Sequence, residues 1–128
     1  MTTIYIASKA KHAARWLALR NNGLPVISTW IDEPEPGAWV EGTGAAWAKY
    51  TREAATADVV LAYGEEGEVQ KGALVEIGCA LGAGKKVFLV GPFPGSWVDH
   101  PRVVKCDSIE HALDAIKLYE VEGWHAGG

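Results

Sequence analysis

Two cysteines, Cys79 and Cys106, are all that the sequence holds, and neither belongs to a CxxC pair. That excludes a disulfide framework and points to two core thiols. No apolar run approaches the length of a membrane span, and no charged-then-apolar leader opens the sequence. The expected setting is therefore cytoplasmic, with no membrane partner. The twelve Lys and Arg form no basic stripe and the formal net charge is −4, which disfavours a long nucleic acid as partner. No GxGxxG, no P-loop ending in GKS or GKT and no GxSxG elbow is present. The stretch Gly64-Glu65-Glu66-Gly67 carries acids that repel phosphate, and the run Glu65, Glu66, Glu68 reads as solvated. His12, His100, His111 and His125 show no metal-ligand spacing. No metal site and no cofactor are expected.

What remains is a 128-residue chain of ordinary globular composition, enough for one domain with a real core. The domain is expected over residues 1–121, with a flexible tail at 122–128. Short β-rich runs occupy 2–7, 25–30, 59–63, 86–90 and 103–105. Amphipathic helical stretches occupy 9–22, 45–57, 72–83 and 108–119. The third and fourth runs are continuously apolar, as in strands covered on both faces. Strands alternating with helices predict an α/β fold: a flavodoxin-like three-layer structure with a five-stranded parallel sheet in the order 2-1-3-4-5. Ligands bind such sheets at the carboxyl ends of the strands, which selects the loops 7–11, 63–71 and 91–97. The polar segment 31–44 has the length of a lid or binding loop. Six tryptophans are many for this length. Trp30, Trp39, Trp97 and Trp124 fall in or beside predicted loops, which suggests stacking surfaces or an oligomer interface.

Glu76 is the leading candidate for chemistry. Its helical neighbours are Gly72 and Ala80 at four residues, Ala73 and Cys79 at three, all small. The carboxylate has no ion-pair partner on its own helix and sits in a notch that a ligand can fill. The helix start one turn back favours its ionised form. Ser8, at the end of the first strand, either caps the next helix or reaches a ligand. Tyr5 is either core or ligand-facing. Asp58 reads first as a helix-to-strand turn residue bound to backbone.

The stretches Ala57-Asp58-Val59-Val60-Leu61-Ala62, Lys71-Gly72-Ala73-Leu74-Val75-Glu76-Ile77-Gly78-Cys79-Ala80 and Gly84-Lys85-Lys86-Val87 resemble the nucleoside 2-deoxyribosyltransferase superfamily. Its pattern is an "AD" strand, a loop, G-x-x-x-E-x-G-x-A and GK-x-V. The opening IYIAS also resembles the first strand and substrate loop of that family. The resemblance implies a nucleophilic Glu76 that attacks C1′ of a 2′-deoxynucleoside, forms a deoxyribosyl ester and passes the sugar to a free nucleobase. It implies an active-site role for Asp58 and substrate contacts for Tyr5, Ser8 and Gly72. Trp30 or Trp47 would stack the base. Gln70 stands where transferases of this family often carry an acid. The loop Pro94-Gly95-Ser96-Trp97 holds no asparagine where a neighbouring subunit often supplies one, so Ser96 takes that place. A homodimer or larger homo-oligomer is implied. Two other readings stay open: an N-glycosidase releasing the base from a 2′-deoxynucleoside 5′-monophosphate, and a nucleotide-binding module without turnover.

Overall fold

The computed structural model describes residues 2–33 and 43–120. Most of the expected loop at 31–44, with Trp39, and the tail with Trp124 lie outside the described residues. Four strands form the sheet among these residues: β1 (Ile4–Ala7), β2 (Val59–Tyr63), β3 (Lys86–Val90) and β4 (Val103–Cys106). They are all parallel, in the order β1-β2-β3-β4. The helices are α1 (Ala13–Asn21), α2 (Thr43–Thr56), α3 (Lys71–Gly82) and α4 (Ile109–Leu118). The first predicted helix starts late, because residues Ala10–His12 form a 3-10 turn before α1.

The pairing register fixes the layers. Tyr5, Val60 and Val87 are partners across three strands, and so are Ile6, Leu61 and Phe88. Successive residues of a strand point to opposite faces, so these two rows lie on opposite sides of the sheet. Tyr5 reaches Glu76 of α3, while Phe88 packs on Tyr119, just past α4. Trp16 of α1 packs on Tyr63, which shares the Phe88 face. Helices α2 and α3 therefore cover one face, and α1 and α4 the other. Both central strands are almost wholly buried, as their unbroken apolar runs require.

The expected strand at 25–30 is corrected by the structure. Only Val26 bridges to Ile4, and residues Thr29–Asp32 turn into a 3-10 helix. Backbone bonds join Ile4 N–H to Pro25 and Ile27 N–H to Ile4. Beyond that, side chains replace the ladder: the Ile6 N–H donates to Ser28 Oγ at 2.6 Å, and the Trp30 indole N–H donates to the Ile6 carbonyl at 2.8 Å. A buried edge must still satisfy its backbone groups, and two side chains do so here. The order 2-1-3-4-5 is accordingly not built as five strands.

Where β2 and β3 end, Gly64 and Gly91 touch. The Gly64 N–H donates to Val90, and a Cβ on Gly91 would stand 1.8 Å from the Gly64 carbonyl oxygen. Gly91 also has φ +91°, a region that side chains disfavour.

Candidate functional site

Glu76 sits in the second turn of α3, and Tyr5 in the middle of β1. Their chain separation is 71 residues, yet the Tyr5 hydroxyl donates to Glu76 Oε2 at 2.6 Å in a buried setting. Tyr5 is fully buried, and Glu76 is only 7% exposed. The small helical neighbours Ala73 and Ala80 are themselves buried, and what lies against the Glu76 carboxyl is the hydroxyl of a strand tyrosine.

Burial dominates the electrostatics of this pair. It pushes the Glu76 carboxyl up to about 7, against the Tyr5 hydrogen bond that favours the charged form; the nearby Glu53 charge adds to the rise. The expected effect of the helix start is thus overridden: the carboxyl is poised near neutrality instead of firmly ionised. Tyr5 is raised far above its ordinary range, first by burial and then by the Glu76 charge, and stays a neutral donor. Glu53 of α2 is anchored by the Thr29 backbone N–H at 3.1 Å and the Thr29 hydroxyl at 2.7 Å.

Trp47 and Gly72 meet at the same place. A Cβ on Gly72 would lie 3.2 Å from Trp47 Cη2, so the indole rests against the bare backbone one helical turn before Glu76. Tyr50 packs edge-on against Trp47 and donates to Glu33 at 2.7 Å. Burial first, then that hydrogen bond, pushes Tyr50 up to about 12. The structure thus assembles Tyr5, Trp47, Gly72 and Glu76 between β1 and the α2–α3 pair. Tyr50 and Glu53 of the same helix as Trp47 join them, and neither was among the site candidates read from the sequence.

The remaining residues singled out from sequence lie elsewhere. Ser8 does not cap a helix: its Oγ donates to the Lys9 carbonyl at 3.1 Å and accepts from the Trp16 indole at 2.8 Å. Trp30 is core, held on Ile6, with its N–H committed to the β1 edge and not to a base. Asp58 binds the Thr3 N–H and hydroxyl at 2.8 and 3.1 Å, and its own N–H donates back to Thr3 Oγ1 at 2.9 Å. That clamp joins the amino ends of β1 and β2, two residues from Tyr5 along the strand. Ser96 is exposed and begins a 3-10 turn, Ser96–Asp99. Its neighbours Pro94, Gly95 and Trp97 line an apolar cavity of about 430 Å³ with Leu74, Gly78 and Leu81, on the flank of α3 turned away from Glu76.

Two of the loops expected at the carboxyl ends of the strands meet each other. Glu68 is not solvated: its side chain is 5% exposed, 2.8 Å from His12 Nε2 and 3.2 Å from the Lys11 ammonium. Burial alone would raise its pKa, but the Glu65 N–H, His12, Lys11 and Gln70 outweigh it and hold the carboxyl at about 2. Gln70, immediately before α3, is buried; its Nε2 donates to Glu68 Oε1 at 2.9 Å, and its Oε1 has no partner. Chain separations above fifty residues hide this cluster from any spacing rule.

No protein-family model matches the chain, and no curated protein sequence matches it. Solved structures do. One is the 2-deoxyribosyltransferase of the psychrotolerant bacterium Bacillus psychrosaccharolyticus, at 20% identity and a TM-score of 0.62, covering 89% of this chain and 90% of that one. Another is the CMP N-glycosidase BcmB of Clostridium botulinum, at 18% identity and a TM-score of 0.58, covering 92% of this chain and all of that one. At these identities the likeness establishes the shared fold. Among the described residues, no helix is long and apolar enough to cross a membrane.

Proposed function

We propose that the chain is a member of the nucleoside 2-deoxyribosyltransferase superfamily and cleaves the N-glycosidic bond of 2′-deoxynucleosides, with Glu76 as nucleophile. The observation that carries this reading is the buried Tyr5–Glu76 hydrogen bond beside Trp47. Carboxyls pushed toward neutrality by burial and held by one fixed donor cluster at reactive sites, which supports this role for Glu76. The fold shared with a deoxyribosyltransferase and a CMP N-glycosidase supports the same bond as target.

In the proposed reaction, one Glu76 oxygen attacks C1′ as the C1′–base bond breaks. The departing base takes the bonding pair and a proton from solvent, and the sugar is held as an ester. Positive charge builds on C1′ and the ring oxygen in the transition state, and a carboxylate against them stabilises it. Tyr5 fixes the carboxylate orientation through Oε2. Trp47, which is partly exposed, stacks on the base, and Gly72 lets its ring lie against the α3 backbone. A second base then attacks C1′ through a ring nitrogen, breaking the ester bond and releasing Glu76 as carboxylate, and gives up its N–H proton to solvent. The enzyme works in the cytoplasm as a homo-oligomer, on small nucleosides and free bases.

A second reading has support from the N-glycosidase neighbour: water, not a base, accepts the sugar. Incubating the protein with one deoxynucleoside and a different free base separates the cases. Appearance of the exchanged nucleoside identifies a transferase, and base release without exchange a glycosidase. Saturable binding with neither leaves a binding module. Mass spectrometry after brief exposure is expected to find a deoxyribosyl adduct on Glu76; full turnover by Glu76→Ala would refute the mechanism.

A further inference from the structure

We propose that His12, Glu65 and Glu68 form a binding site for a divalent first-row transition ion. It lies at the carboxyl ends of β1 and β2, apart from the Tyr5–Glu76 pair, and stands whatever reaction Glu76 serves.

One ligand atom from each of the three residues falls within 4.8 Å of the others. His12 Nε2 is 2.8 Å from Glu68 Oε2 and 3.9 Å from Glu65 Oε1. Ligands about 2.1 Å from an ion stand about 3.0–3.4 Å apart in octahedral or tetrahedral geometry, so the set needs only small side-chain rotations to close. One imidazole nitrogen and two carboxylate oxygens suit a divalent ion of this row, with water completing the shell.

The outer contacts favour a built site over a chance ion pair. Each carboxylate has one oxygen held by a backbone or side-chain donor other than His12 and the other turned to His12. Glu68 Oε1 accepts from the Glu65 N–H and from Gln70 Nε2, both at 2.9 Å. Glu65 Oε2 accepts from the Tyr63 hydroxyl at 2.6 Å. Such partners orient ligands in metal sites. His12 itself is packed edge-on against the Tyr63 ring, and its side chain is 8% exposed.

Two cations face the cluster. Lys11 stands 3.2 Å from Glu68 Oε2 with its side chain 61% exposed, and Arg15 stands 3.9 Å from Glu65 Oε2. An exposed ammonium pair is weak, so Lys11 can swing into water when an ion arrives. Lys11 is then a competitor of the metal, and its removal tightens binding. A plain salt-bridge network predicts no such gain.

The test is calorimetric titration of the whole protein with Zn²⁺, with Co²⁺ absorption in the visible range as an independent reading. One saturable ion per chain is expected. Lys11→Met is expected to tighten it severalfold, and His12→Ala to weaken it at least tenfold. Glu68→Gln should do the same, and the Co²⁺ band should change in each. Should Glu68→Gln fail to fold, the His12→Ala and Lys11→Met variants decide. No saturable heat in either the wild type or Lys11→Met overturns the proposal. So does undiminished binding in His12→Ala, which would move the ion to other histidines.

Discussion

Tyr5 and Glu76 share a 2.6 Å hydrogen bond from strand to helix, inside the layer between β1 and the α2–α3 pair. The bond runs from a permanently neutral donor to a carboxyl whose protonation is set near neutral pH. Both the proposed reactivity and its pH dependence turn on that relationship.

Because Glu76 is raised to about 7, its nucleophilic form accumulates as pH passes neutrality. The kcat/KM profile is expected to rise with a limb centred near pH 7. Tyr5→Phe removes a contact that favours the charged form, so the limb moves to higher pH. Activity at pH 7 should fall about 10–100-fold, the worth of a hydrogen bond to a charged group. A limb near pH 4.5, or one unmoved in the variant, would contradict this account.

The same shift has a cost in stability. Glu76 binds its proton more tightly folded than unfolded, so folding loses free energy as pH rises from about 4.5 to about 7 and is level above. Glu76→Gln keeps an acceptor for Tyr5 and carries no charge. It is expected to be more stable than the parent by roughly 3 kcal/mol above pH 7, with the difference vanishing below pH 4.5. Urea melts at pH 4 and pH 8 measure both ends. Activity in the variant should be lost by at least about a thousandfold.

Gly72→Ala places a methyl 3.2 Å from Trp47 Cη2, and the ring has to give way. The helix itself gains about 1 kcal/mol from alanine, so stability is expected to hold or improve. Binding should suffer instead: a severalfold rise in KM with a smaller change in kcat. Trp47→Ala should raise KM further. Equal losses in kcat alone would argue against a binding role for this wall.

Ser28 has no exposed surface, and its hydroxyl serves the Ile6 N–H. Ser28→Ala leaves a buried donor unpaired, at a cost of about 1–3 kcal/mol. The midpoint of urea unfolding should fall accordingly while the slope is kept. An unchanged midpoint would mean that the β1 edge has another partner.

Gly91→Ala is expected to be the most damaging of these changes. Its methyl would meet the Gly64 carbonyl at 1.8 Å on a backbone at φ +91°. Neither group can retreat without breaking the junction of β2 and β3. Loss of soluble folded protein, seen by circular dichroism, is the expected outcome.

The sequence by itself determined the parallel α/β plan, since continuous apolar runs and helical stripes depend only on local periodicity and burial. It also singled out Glu76, because four small residues at helical spacing mark a notch regardless of what lies across it. It could not show that 25–30 is no strand: that segment is β-rich, but Ser28 and Trp30 satisfy Ile6 through side chains, and side-chain hydrogen bonds leave no period. Tertiary structure alone paired Tyr5 with Glu76, set Trp47 on Gly72 and brought His12 to Glu68. Each of these contacts joins elements distant in the chain, and only the order and register of the sheet decide which distant residues meet. The protonation of Glu76 was settled there too. Proximity to a helix start is local, whereas the desolvation that overrides it comes from β1 and the surrounding layers.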